Sequence, residues 1–191
     1  MSAIAGIVLA GGRSKRMGTS KALLDWHGRP LVVHTAARLQ AALGGATVIV
    51  VRAPGQELPT LPDGVEVAVD GAEGRGPLQG LAAGLAALEG RADAAVAVAT
   101  DQPFAAEVVP RLLAALTDAD DAVAFAGAPL GAVYRPRLRA IAEARLAAGG
   151  DASLRGLLDA VHTRSLPPDT AVVTALRSLD TPEAYADALR P

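Results

Sequence analysis

Thirteen residues near the amino terminus combine the two things a polyphosphate needs from a protein, accessible backbone and dense positive charge: Leu9-Ala10-Gly11-Gly12-Arg13-Ser14-Lys15-Arg16-Met17-Gly18-Thr19-Ser20-Lys21. Paired glycines let main-chain N–H groups come close to an anion or a base, because no Cβ intervenes. Arg13, Lys15, Arg16 and Lys21 then place four cations within nine residues, with no acid before Asp25. That charge density suits a triphosphate. The spacing is not that of a P-loop, which requires Gly-Lys-Ser/Thr, nor of G-x-G-x-x-G, since these glycines are adjacent. On spacing alone the segment reads equally as a glycine turn followed by a solvated basic loop.

Asp101 is the second candidate. It follows the wholly apolar run Ala94–Ala99 and precedes Pro103. A hard oxygen ligand beside a cation-rich loop suits a Mg²⁺ that bridges protein and phosphates, although Asp-x-Pro is also a turn sequence. Asp70 poses the same alternative after Val65–Val69, where a turn is the simpler reading. His27, His34 and His162 lack metal-ligand spacing and read as surface or helix-packing residues. No Gly-x-Ser-x-Gly elbow is present, which leaves a serine hydrolase unsupported. The acidic run Asp118, Asp120, Asp121 lacks calcium-loop spacing and reads as a solvated turn.

These residues need elements to hold them, and the chain alternates short β-like runs with amphipathic helical stretches, the pattern of an α/β fold with a mostly parallel sheet. Strands are predicted at Ile4–Ala10, Thr47–Val51, Val65–Val69 and Ala94–Ala99, a strand pair at Ala122–Phe125 and Leu130–Tyr134, and further strands at His162–Leu166 and Ala171–Leu176. Helices are predicted at Leu31–Leu43, Pro77–Leu88, Glu107–Leu116, Arg137–Ala147, Ser153–Ala160 (capped by Asp151 or Ser153) and Thr181–Leu189. Both chemical candidates then fall at carboxyl ends of strands, where open α/β sheets bind ligands.

Composition narrows the function classes. The 191 residues carry a formal charge of −2, which disfavours a nucleic-acid binder, although four of the 18 cations lie in the first 24 residues without a single acid. With 0 Cys there is no disulfide framework, thiolate metal site or cysteine nucleophile. Aromatics at 3% disfavour base-stacking platforms. Uncharged stretches fall short of a spanning helix and no targeting signal is evident, so a cytoplasmic protein is expected. No repeat, linker or composition break appears, so residues 1–191 are read as a single domain.

The stretch Leu9-Ala-Gly-Gly-Arg-Ser-x-Arg-Met-Gly18-x-x-Lys21 resembles the opening motif of MobA-like nucleotidyltransferases, and among them that of the molybdenum cofactor guanylyltransferases. Gly28-Arg-Pro-Leu31, Asp70, Gly76-Pro-Leu-x-Gly80, Asp101-x-Pro103, Ala132-Val-Tyr-Arg135 and Asp180-Thr-Pro-Glu183 agree in order and spacing, so the likeness covers nearly the whole chain.

The resemblance implies a Rossmann-like, three-layer α/β/α fold of the nucleotide-diphospho-sugar transferase type, with a nucleotide-binding N-terminal half and an acceptor-binding C-terminal half. It implies transfer of GMP from Mg-GTP to the phosphate of molybdenum-carrying molybdopterin, with Mg²⁺ as cofactor and a cofactor-delivery or molybdoenzyme-maturation protein as a transient partner. Carried over by residue, Leu9, Ala10, Gly11 and Gly12 would hold guanine and ribose through their backbone. Arg16 and Lys21 would bind phosphates, and Asp101 would hold the metal and serve catalysis with them. Asp70, Arg52 and the segment Gly76, Pro77, Leu78, Gly80 would contact the nucleotide, and Tyr134, Arg135 and Asp180 the acceptor. Two departures, Arg52 where many members have Asn and Asp180-Thr-Pro182 where many have Asn-Thr-Pro, leave a cytidylyltransferase, a sugar- or polyol-phosphate nucleotidyltransferase, or a non-catalytic nucleotide-binding homologue as alternatives. The chemistry needs no general base, because the attacking phosphate is ionised at neutral pH; positioning and charge neutralisation suffice.

Overall fold

The structure, a computed structural model, describes residues 3–11, 20–71, 76–149 and 151–190. In chain order its strands are β1 (Ile4–Leu9), β2 (Asp25–Trp26), β3 (Arg29–Pro30), β4 (Val48–Arg52), β5 (Val65–Val69), β6 (Ala94–Ala99), β7 (Ala122–Phe125), β8 (Ala128–Tyr134) and β9 (Thr163–Leu166). The helices are α1 (Leu31–Ala42), α2 (Pro77–Ala87), α3 (Val109–Ala115), α4 (Leu138–Ala148), α5 (Leu154–Asp159), α6 (Thr170–Ala175) and α7 (Pro182–Ala188). Seven strands form one sheet in the order β5-β4-β1-β6-β8-β7-β9, in which β8 alone runs against its neighbours. β2 and β3 form a separate small hairpin.

Alternation along the central strands splits the apolar residues between two helix layers, which gives the expected three-layer α/β/α architecture. Ala5, Ile7 and Leu9 of β1 face α2, α4 and α5, packing with Leu78, Leu81, Leu85, Leu138 and Leu157. Val8 faces the other way, with Val48, Val50, Val96 and Val98, onto Val32, Ala36 and Leu39 of α1 and Val109 and Leu112 of α3. The helix α2 lies close on β1 because Gly80 and Gly84 face the strand. A Cβ on Gly84 would stand 2.8 Å from Ile7 Cγ2, and one on Gly80 3.2 Å from Leu9 Cδ2.

Four local readings change. Ala171–Leu176, whose β-branched residues suggest a strand, lies in helix α6: the Asp169 side chain accepts from Val172 N at 2.9 Å, and Val172 and Ala175 are buried one turn apart. A cap plus a burial face outweighs β propensity there. The helix expected over Glu107–Leu116 is a 3-10 turn, Ala105–Val108, running into α3, whose first turn holds Pro110. The β2–β3 hairpin escapes a sequence reading because His27 (φ 49°) occupies a left-handed position usually given to Asn or Asp, followed by Gly28 (φ 82°).

The fourth is the acidic run. Asp120 is 1% exposed and accepts from Thr117 N at 2.9 Å, Thr117 Oγ1 at 2.7 Å and Arg164 Nε at 3.0 Å. The Arg164 hydrogen bond, against the cost of desolvation and aided by Thr117, brings its pKa down to about 2. Asp120 is therefore a buried strut between the ends of β7, β8 and β9, while Asp118 in the same turn is solvent-exposed as expected.

Candidate active site

The parallel register brings the carboxyl ends of β1, β4, β5 and β6 level, with Leu9 opposite Val51 and Ala99, and Arg52 opposite Val69. The chain therefore leaves the sheet at Gly11, Arg52, Asp70 and Asp101 along one edge. Main-chain bonds tie these exits together: Ala10 N and Gly11 N donate to Val51 O at 2.8 and 3.1 Å, Asp70 N to Arg52 O at 2.8 Å, and Thr100 N to Leu9 O at 3.1 Å. Gly11 packs close to β4, since a Cβ there would sit 3.2 Å from Ala53 N and require that backbone to give way. The first turn of α2 begins near the same edge, with Gly76 in the left-handed region (φ 78°) and Pro77, both exposed.

This geometry revises what several predicted residues offer a nucleotide. The N–H groups of Ala10 and Gly11 donate to Val51 O, so these two donors are committed inside the protein. Leu78 and Gly80 are buried where α2 packs on the sheet and serve packing. Arg52 Nη1 donates to Ala53 O at 3.2 Å and Gln56 O at 3.0 Å, so its guanidinium braces its own loop. Gly12 and Arg16, with their basic neighbours Arg13 and Lys15, lie outside the described residues.

Lys21 forms the centre of the site. Its ammonium donates to Asp101 Oδ2 and to Asp180 Oδ1, each at 2.6 Å. Burial pulls the Lys21 pKa down, but the hydrogen bonds to the two carboxylates outweigh it and hold it above the ordinary lysine value. Lys21 and Asp101 are mostly buried, with side chains 20% and 14% exposed, whereas Asp180 is open at 59%. Asp180, assigned from the sequence to the acceptor, thus joins the two residues assigned to phosphate and metal.

Three segments must meet for that cluster to exist. Lys21 opens a 3-10 turn, Lys21–Leu23, ahead of the β2–β3 hairpin, whose Trp26 is buried with Leu31 and Leu179. Phe104 packs edge-on against Trp26 at 5.7 Å, and Tyr185 of α7 leans on it at 6.3 Å while donating through its hydroxyl to Asp25 O. Asp101 O accepts from Leu179 N at 2.9 Å, and Gln102 Nε2 donates to Leu176 O at 2.9 Å. Thr35 Oγ1 of α1 fixes Thr100 O at 2.9 Å. An aromatic knot on one side and main-chain ties on the other therefore set where the two carboxylates point.

Tyr134 and Arg135 are not brought to this edge. Because β8 runs antiparallel, Tyr134 pairs with Ala95, at the amino end of β6. Its side chain is buried, its hydroxyl donates to Pro129 O, and burial pushes its pKa up. Arg135 donates to Asp93 O at 3.2 Å and Thr117 O at 3.1 Å, locking turns at the opposite end of the sheet. None of the histidines enters the cluster. His34 lies against Trp26, and burial lowers its pKa.

Sequence reasoning missed Gln56, which the Pro/Gly-punctuated loop 53–63 gives no cue to. Its Oε1 accepts from Ala53 N at 3.0 Å and its Nε2 donates to Ala10 O at 3.0 Å and Ser20 Oγ at 3.4 Å. Among the described residues no group of three or more His, Cys, Asp or Glu gathers as a metal site. The oxygen pair of Asp101 and Asp180, already closed around a cation, is the arrangement that suits a hard divalent ion with open positions for phosphate oxygens.

Residues 6–166 match the family described as the MobA-like NTP transferase domain. A Mycobacterium bovis protein named probable molybdenum cofactor guanylyltransferase is 39% identical over 165 residues, covering 82% of this chain and 80% of that protein. The crystal structure of Rv0371c from Mycobacterium tuberculosis superposes with a TM-score of 0.73 at 25% identity, covering 98% of this chain and 97% of that one. A complex of Rv0371c with manganese superposes with a TM-score of 0.69 at 23% identity, covering 99% and 98%.

Proposed function

The chain belongs to the MobA-like NTP transferase family and is a nucleotidyltransferase, and on that premise we propose that it transfers GMP from GTP to the terminal phosphate of molybdenum-bearing molybdopterin. An acceptor phosphate oxygen attacks the α-phosphorus, the bond from that phosphorus to the bridging oxygen breaks, and pyrophosphate leaves. The observation that carries the proposal is the convergence of Lys21, Asp101 and Asp180 at the sheet's carboxyl edge, where they join charges of the kind that phosphoryl chemistry requires. The name borne by the 39% identical mycobacterial relative supports guanylyl over cytidylyl transfer.

Asp101 and Asp180 would hold Mg²⁺, which when bound neutralises charge on the phosphates and on the departing pyrophosphate. The fit rests on the structure's own cation: two carboxylate oxygens already share the Lys21 ammonium. Lys21, whose ammonium the metal would displace from those carboxylates, would turn to the phosphates and stabilise the charge that builds on the leaving group. Gly11, Gly76 and Pro77 leave the edge low enough for a base and ribose to lie against it, and Asp70 stands beside them. The C-terminal segment bearing Asp180 brings the acceptor half to the donor half. No side chain has to remove a proton, because the acceptor phosphate is ionised at pH 7. A GTP donor would fit work in the cytoplasm.

The test is to incubate the protein with each labelled NTP, Mg²⁺ and purified molybdenum cofactor and to follow pyrophosphate. Release with GTP alone is the expected result. Release with CTP and none with GTP overturns the guanylyl assignment, and no release with any NTP overturns molybdopterin as the acceptor.

A further inference from the structure

We propose that Gln56 is a positioning residue for the nucleotide, setting the distance between the end of β1 and the turn that carries Lys21. The inference rests on the reading of this edge as the nucleotide site. One carboxamide spans three segments: it accepts from Ala53 N, donates to Ala10 O and donates to Ser20 Oγ. Ala10 precedes Gly11, on which a Cβ would stand 3.2 Å from Ala53 N, and Ser20 precedes Lys21.

The carboxamide is itself held. Gln56 N donates to Ala53 O at 3.1 Å, and Arg52 Nη1 donates to Gln56 O at 3.0 Å. Backbone and side chain of residue 56 are thus fixed from the β4 side before they reach across to Ala10 and Ser20. This gives the Arg52 guanidinium, bonded to Ala53 O and Gln56 O, a purpose in the same device. Only an amide does this job, because the position needs one acceptor and two donors at once. A nucleotide lying between Ala10–Gly11 and Lys21 meets both walls whose spacing Gln56 maintains, whereas an acceptor approaching from the Asp180 side meets Lys21 alone.

Gln56→Glu separates shape from hydrogen bonding. It keeps the acceptor for Ala53 N, loses both donors and sets a carboxylate against the Ala10 carbonyl. Calorimetry on the intact chain gives the affinity for each of the four NTPs. The inference is judged on whichever nucleotide the wild type binds, while that nucleotide's identity separately tests the guanylyl assignment. The expected result is at least a tenfold weaker Kd for the nucleotide, a KM for the acceptor within twofold of wild type, and an unfolding midpoint within a few degrees. The ratio of variant to wild-type Kd should also shrink as pH falls toward about 5, where a protonated Glu regains a donor. An unchanged nucleotide Kd, or equal losses toward nucleotide and acceptor, overturns the inference.

Discussion

The Lys21 ammonium stands 2.6 Å from Asp101 Oδ2, a contact that closes the carboxyl end of β6 onto the turn following the basic stretch. Both partners are mostly buried, so the pair is shielded from the solvent that weakens surface ion pairs. Its partners are also those a metal–triphosphate would engage, which makes it the natural place to probe first.

Lys21→Ala should lower kcat/KM at least tenfold, about 1.4 kcal/mol of transition-state stabilisation, while the far-UV circular dichroism stays unchanged. Steady-state kinetics at saturating Mg²⁺ measures it, and a wild-type rate removes Lys21 from phosphate binding.

Asp180→Asn keeps an oxygen in place and removes one negative charge. The Mg²⁺ concentration giving half-maximal rate should rise by about tenfold or more, because ligand charge governs affinity for a hard cation. Asp101→Asn should shift the same curve at least as far. Superimposable Mg²⁺ curves for Asp180→Asn and wild type would return Asp180 to the acceptor alone.

Acid should weaken the fold through Asp120. Its carboxyl titrates near 2 in the folded chain, because of Arg164 first and Thr117 after it, and near 3.8 when unfolded. The stability it contributes is present above about pH 4, declines as pH falls from there toward 2, and is gone below that. Urea melts across this range should show a steeper fall for wild type than for Asp120→Asn, and parallel curves would contradict the strut.

Gly84→Ala should destabilise the chain by about 1–2 kcal/mol, although alanine is the better helix former. The added methyl would meet Ile7 Cγ2 at 2.8 Å inside a core with no slack. Chemical denaturation checks it. A stabilised variant would show that α2 shifts off β1 at no cost.

Much of this was legible in the sequence because it was local. The run Ala94–Ala99 is wholly apolar since β6 is buried on both faces, and its strand has those same limits. Pro77 and Pro182 mark first turns because a helix start tolerates a missing N–H. Lys21, Asp70 and Asp101 were visible as charges following turns and strands. What stayed hidden depends on three-dimensional direction. The short link between β7 and β8 already makes them antiparallel, but nothing in Ala132–Arg135 announces that β8 is the strand that pairs with β6 and so takes Tyr134 and Arg135 to the far end of the sheet. Gln56 and Asp180 act through partners 46 and 159 residues away, beyond any local pattern.

The separation of 159 residues between Lys21 and Asp180 has a consequence in time as well as in space. During synthesis β1, β4, β5 and β6 emerge early enough to pair while the segment bearing Asp180 is still unmade. A nascent chain can therefore form this edge with Lys21 bound to Asp101 alone. The Asp180 carboxylate therefore joins the cluster only after the segment preceding α7 has been made, the helix whose Tyr185 leans on Trp26.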